Sequence, residues 1–186
     1  MSNALAVPAV TAALTTIVQA AVDGCGLSPR PVVTPGPLGN SGEGPFVVVH
    51  LHRITHDPSL AVKSLPTRPG GGDPPQQPRV ALNLHYLISF CGNTDWDAQQ
   101  LLAATAAMLH VVPVLTAPQF VDAEAAHPQI AGNDLSAAEE PVRVAPDTLS
   151  IDELNGVWAL YPPGSFAVTL AVSAGPVLID GNPEEG

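Results

Sequence analysis

The stretch from Arg79 to Cys91 restricts this chain more than any other. Val80, Leu82, Leu84, Tyr86, Ile88 and Phe90 take every second position, with Ala81, Asn83, His85, Leu87 and Ser89 between them. Successive side chains of a strand point to opposite faces, so the first set makes one wholly apolar face. Such a face is stable only under a second layer of structure. That layer must be aliphatic: hydrophobic residues are 46% of the chain but aromatics only 4%, so the core is built from Ala, Val, Leu and Ile.

Helical spacing of Val7, Val10, Leu14, Ile17, Val18 and Ala21 predicts an amphipathic helix that starts near Pro8 and ends before Gly24 and Gly26. Strands are expected at Pro31 to Thr34 and at Phe46 to Thr55. In the second, Val47, Val49 and Leu51 share one face and His50 and His52 the other. A helix from about Trp96 to His110 is capped by Thr94 or Asp95 and carries Leu101, Leu102, Thr105, Met108 and Leu109 as its stripe. Pro113 ends it. Gln119 to Ala126 gives a weaker helical pattern, and Val142 to Ala145 a short strand. Ser150-Ile-Asp-Glu153 is a capping box opening a helix with Ile151, Leu154, Trp158 and Tyr161.

Beyond Pro162-Pro163-Gly164, Phe166, Val168, Leu170, Val172 and Ala174 alternate as in a half-buried strand, until Gly175-Pro176 interrupts it. Proline, 21 of 186 residues, clusters in Arg30 to Pro45 and Pro66 to Arg79, which read as loops. The expected fold is α+β, a mainly antiparallel sheet flanked by about three helices, in a single domain over residues 1–186.

Charge narrows the possible partners. Six Lys and Arg stand against 17 Asp and Glu, a formal net charge of -11, which opposes nucleic acid and anionic membrane surfaces because binding there neutralises phosphates. Lys63 is the one lysine, and there is no basic run. Met1 to Val22 is apolar but has no positive leader, and no 18 unbroken apolar residues occur. Cys25 and Cys91 lie far apart without a CxxC, which signals neither zinc nor a disulfide framework.

Catalytic chemistry finds little support. His50, His52 and His56, with His85 or Asp57 as a further ligand, are the best metal candidates, since a His-x-His pair on one strand face can hold an ion; the alternative is ordinary polar residues on an exposed face. No G-x-S-x-G surrounds a serine, and Cys91 between Phe90 and Gly92 reads as a strand-end residue. Pro69-Gly-Gly-Gly-Asp73 lacks the Lys and Ser/Thr of a phosphate-binding loop. Asp95/Asp97 and Glu139/Glu140 suit a helix start and a solvated loop. No catalytic residue, metal or cofactor is therefore assigned.

Two groups remain as binding candidates. Trp158, Tyr161 and Phe166 cluster around the last helix-to-strand turn, as core or as a partner surface, because Trp and Tyr are enriched at interface hot spots. Val177, Leu178 and Ile179 either resume the interrupted strand or belong to an extended C-terminal arm over residues 175–186. As an arm they would add to a partner's open sheet edge.

Several segments together resemble one family. They are the opening Met-Ser-Asn-Ala-Leu-Ala-Val7, Arg53-Ile-Thr-His-Asp-Pro58, Val80-Ala-Leu-Asn-Leu-His-Tyr-Leu87, Ala107-Met-Leu-His110 before Pro113-Val-Leu115, and Leu149-Ser-Ile-Asp-Glu-Leu154 followed by Trp158. In order and spacing the chain is similar to the cap, or tail terminator, proteins of extracellular contractile injection systems, the phage-tail-like particles of antifeeding-prophage and virulence-cassette type. The likeness covers their core N-terminal domain. His52 stands where the family usually has an aromatic, and Asp57 where it has Asn. The resemblance implies a structural ring of six subunits, cytoplasmic as part of an assembled particle that is either kept in the cell or released from it. It would sit on the last layer of inner tube protein and sheath protein, end their growth and couple them, with Val177 to Ile179 on the sheath and Trp158, Tyr161 and Phe166 on ring or tube. The rival readings are a tail-completion protein of a true contractile-tailed phage, and a small metal-dependent enzyme using His50 and His52.

Overall fold

In a computed structural model, which describes residues 4–37, 44–57, 79–138, 140–159 and 167–180, the long alternating stretch is a central strand. It runs over Arg79–Cys91 as predicted and is the third, β3. The others are β1 (Val32–Pro35), β2 (Phe46–His56), β4 (Val114–Leu115), β5 (Val142–Pro146) and β6 (Val168–Asp180). They form one curled sheet in the order β1-β2-β3-β6-β5-β4. Only the β1–β2 pair is parallel; the remaining ladders are antiparallel. The fold is α+β, as expected.

Four α-helices are present among the described residues: α1 (Ala6–Asp23), α2 (Asp95–Val111), α3 (Ala117–Ala126) and α4 (Ile151–Trp158). Of the two capping candidates for α2, the structure selects Thr94, whose hydroxyl accepts from the Asp97 amide while the Asp97 carboxylate accepts from the Thr94 amide. Ahead of α3 the Gln119 side-chain oxygen accepts from both the Thr116 amide and its hydroxyl, which fixes the start of the weaker helical pattern. Such bonds satisfy amides that a helix start otherwise leaves unpaired.

The aliphatic second layer is α1, packed on the inner face of the sheet with α2 and α3 on either side. Its alanines Ala6, Ala9 and Ala13 and its larger Val10, Leu14 and Val18 are all at 0% exposure. The small side chains let the helix lie close to its neighbours. By length and composition α1 would suffice to cross a membrane, but 61% of it is buried inside this fold. Opposite it, Leu84, Tyr86, Ile88 and Phe90 are fully buried; at about 1.5–3 kcal/mol each, the four contribute roughly 6–12 kcal/mol of burial. One polar contact crosses this core, between Thr11 Oγ1 and the Tyr86 hydroxyl at 2.9 Å. Burial pushes the Tyr86 phenol far above its ordinary value, so it stays neutral.

Two irregularities shift the alternation of the flanking strands. The register of β2 against β3 slips between Leu51 and Arg53, so His52 and Arg53 together oppose His85. The extra residue of this bulge reverses the pattern. Odd-numbered Val47, Val49 and Leu51 face inward with Phe90, Ile88 and Tyr86, whereas odd-numbered Arg53 and Thr55 face outward with His85 and Asn83. In β6 a similar slip lies at Gly175 and Pro176, opposite Asn83. A Cβ on Gly175 would lie 2.1 Å from Asn83 Oδ1, so a larger residue here would have to turn the Asn83 side chain aside.

The second slip decides between the two readings of the C-terminal segment. Val177, Leu178 and Ile179 resume the interrupted strand: they continue β6 and pair with Leu82, Ala81 and Val80 of β3. Proline lacks a donor, but the bulge absorbs the interruption, and Val177 re-enters the core at 0% exposure. Burying that side chain favours the intramolecular strand. Residues 181–186 of the proposed arm lie outside the described residues.

Candidate functional site

Where the two bulges flank β3, the outer face of the sheet carries a polar cluster. His85 is its centre. Its Nδ1 lies 2.7 Å from Asp147 Oδ2, just past β5, and its Nε2 lies 2.9 Å from the Thr55 hydroxyl of β2. With the ring proton on Nδ1, His85 donates to Asp147 and accepts from Thr55. The bond from His85 is the main cause that holds the Asp147 carboxyl below the usual carboxylate range, with Arg53 adding a little.

Arg53, turned outward by its bulge, spans the cluster. Its guanidinium lies 3.9 Å from the Asp147 carboxylate, and it donates to Glu153 of α4 at 3.2 Å. Glu153 has two duties. It closes the predicted capping box, accepting from the Ser150 amide and hydroxyl while the Ser150 hydroxyl accepts from the Glu153 amide. Those Ser150 bonds, ahead of Arg53, hold the Glu153 carboxyl below its usual range. The helix they start has no buried residue, and Ile151 at its first turn is 78% exposed.

Thr55, His85 and Asp147 form a hydroxyl–imidazole–carboxylate chain, so nucleophilic catalysis has to be weighed. One feature opposes it. Thr55 sits within a ladder, where backbone amides lie in the sheet plane and cannot converge on an oxyanion above it. The chain instead ties β2, β3 and the segment after β5 together.

The metal candidates are not gathered into a site. His50 and His52 do share the outer face, but both are half-buried, not the exposed polar residues of the alternative reading. Burial depresses both imidazoles, with a backbone bond at Gly36 partly offsetting it for His50 and nearby Arg53 and His85 adding to it for His52. The rings of His52 and His85 meet edge-on, 6.4 Å between centroids. Among the described residues no group of three or more His, Cys, Asp or Glu is placed to hold a metal ion. Cys25 and Cys91 are free thiols, pushed up by burial.

Of the interface candidates, Trp158 ends α4 half-buried, and Tyr161 and Phe166 lie outside the described residues, as do Lys63, Glu139 and the glycine run Pro69 to Asp73. Val177 is buried, while Leu178 and Ile179 are half-buried in the sheet. Sequence reasoning missed Arg53, Thr55, Asp147 and Glu153 as one cluster. Its only local trace is the capping box at Ser150; the bonded partners lie 30 to 100 residues apart along the chain.

Comparison with known proteins follows the same lines. A family model described as the Pvc16 N-terminal domain matches residues 9–186. The tube terminating cap of the anti-feeding prophage shares the fold, with a TM-score of 0.61 and 16% identity over 94% of this chain and 55% of that one. The sheath/tube terminator of the PVC extracellular contractile injection system, in its extended state, aligns with a TM-score of 0.47 and 19% identity over 89% of this chain and 56% of that one. The chain thus spans little more than half the length of either. No curated protein matches it.

Proposed function

Because the chain belongs to the Pvc16 N-terminal domain family, we propose that it is a structural, non-enzymatic cap of a contractile injection particle. It would sit as a ring, six subunits being expected, on the last layer of inner tube and sheath, end their polymerisation and couple the two. The observation that carries this is the family match over residues 9–186, joined to a fold shared with a tube terminating cap. A heterologous contact that closes by rotation gives such a ring. The surplus of 17 acids over six bases gives no footing for nucleic acid or an anionic membrane and suits basic protein neighbours.

The aromatic cluster of Trp158, Tyr161 and Phe166 is the proposed ring or tube contact. For the sheath, Val177, Leu178 and Ile179 remain the proposed contact, by an edge and not a released arm. Among the described residues the β5 ladder on β6 ends at Arg143 opposite Gly175. Val177 and Ile179 pair toward β3, so the alternation directs the Leu178 amide and carbonyl to the far edge. There an added strand would find partners.

Deletion of the gene, followed by electron microscopy of the particles, tests the terminator role. Tubes or sheaths of uncontrolled length, or particles that fall apart, are expected; intact particles of normal length would overturn it.

A further inference from the structure

We infer that the Gln19 side chain closes the β1 edge of the sheet, standing in for a neighbouring strand and barring a second copy of this chain from adding one there. β1 ends the strand order and has β2 on one side only. Toward β2 it turns Val32 and Gly36, whose amides donate to the Pro45 and Val49 carbonyls. Successive residues of a strand direct their backbone groups to opposite sides, so Pro31, Val33 and Pro35 address the open side. A row of unpaired groups there is a template for another chain. Proline has no N–H, which leaves Val33 as the one donor of the three.

That donor is taken. α1 packs beside β1; the Val33 amide donates to Gln19 Oε1 at 2.9 Å, and Gln19 Nε2 donates to the Pro31 carbonyl at 3.0 Å. The carbonyl before Val32 and the amide after it are the two groups that one residue of a parallel neighbour would engage. A further bond sets the carboxamide the right way round, from Nε2 to Asp23 Oδ1 at 2.8 Å. Arg30 donates to both oxygens of that carboxylate, at 2.8 and 2.6 Å, and holds the Asp23 carboxyl below the usual carboxylate range. A flipped amide would set Oε1 against this carboxylate and the Pro31 carbonyl, and Nε2 against the Val33 N–H. Of the outward groups of these three residues, only the Val33 and Pro35 carbonyls remain, and a ladder needs donors as well. The closure belongs to the chain alone and does not depend on the terminator reading.

Hydrogen exchange and sedimentation velocity of the purified full chain test it together. In the parent the Val33 amide should be protected although its strand lies at the edge; exchange at the rate of an unfolded chain would overturn the inference, whatever the variants do. Gln19→Met keeps the length and helix preference of the side chain and removes both bonds to β1. In dilute solution it should speed Val33 exchange by about two- to twelvefold, the range for one hydrogen bond, with protection of β3 unchanged. As concentration rises, this variant should form species larger than any the parent forms. Val32, 55% exposed on the same strand, supplies the second variant: Val32→Lys adds a charge that blocks strand pairing. In the Gln19→Met background it should restore the parent's sedimentation. Gln19→Met sedimenting as the parent does at every concentration, or association that persists with Val32→Lys, would each overturn the closure.

Discussion

Replacing Gly92 by alanine should destabilise the protein although the backbone there is not in the left-handed region. The added Cβ would lie 2.5 Å from the Asp97 Cβ, 2.7 Å from the Ala98 amide nitrogen and 2.8 Å from the Thr94 carbonyl oxygen. None of these is the far end of a flexible side chain, so the start of α2 must move away from the end of β3. Overpacking of this kind costs about 1–3 kcal/mol, and the displaced capping box of Thr94 and Asp97 adds about 1 kcal/mol. The reduced freedom of the unfolded chain returns about 0.4–1 kcal/mol. The net is about 1–3.6 kcal/mol, which at about 2–4 °C per kcal/mol for a chain of this size lowers the melting temperature by roughly 2–14 °C. Gly156→Ala is the internal control. A Cβ there meets open space, and alanine in a helix interior is favoured over glycine by about 0.5–1 kcal/mol. Urea and thermal unfolding of the two variants beside the parent give the measurement. Gly92→Ala unfolding with the parent's midpoint would refute the steric reasoning.

Two further outcomes follow from buried and charged groups. Tyr86→Phe removes the one polar contact between α1 and β3, but Thr11 keeps its bond to the Val7 carbonyl; urea unfolding should show a loss of only about 0.5–1.5 kcal/mol. Stability should fall on acidification in two stages. His50 and His52 are depressed in the fold, so below the ordinary histidine range near pH 6.5 the unfolded chain takes up protons that the folded chain refuses. Asp147 and Glu153 are depressed too, so their contribution is present above the usual carboxylate range and is lost as pH falls through their folded values, below about pH 4. Urea midpoints measured against pH should show both stages, and His50→Gln with His52→Gln should remove the first.

What the sequence determined by itself is the set of features whose causes are local. The alternation from Val80 to Phe90 needs only the period of a strand. The box at Ser150 and Glu153 needs only residues three apart, and the α1 stripe only the helical repeat. Each appears in the structure where the pattern put it. The parallel seat of β1, the continuation of β6 through Pro176 and the outward turn of Arg53 were decided by the tertiary structure. A bulge is a relation between two strands. Whether His52 or Gly175 is the extra residue depends on which residue of β3 lies opposite, and nothing within either strand states it. The same holds for the polar cluster: Arg53, His85, Asp147 and Glu153 have ordinary neighbours along the chain. They became one site only when long-range pairing of β2, β3, β5 and β6 brought their carriers onto one face, because burial of the inner face set the register and left the outer face to follow.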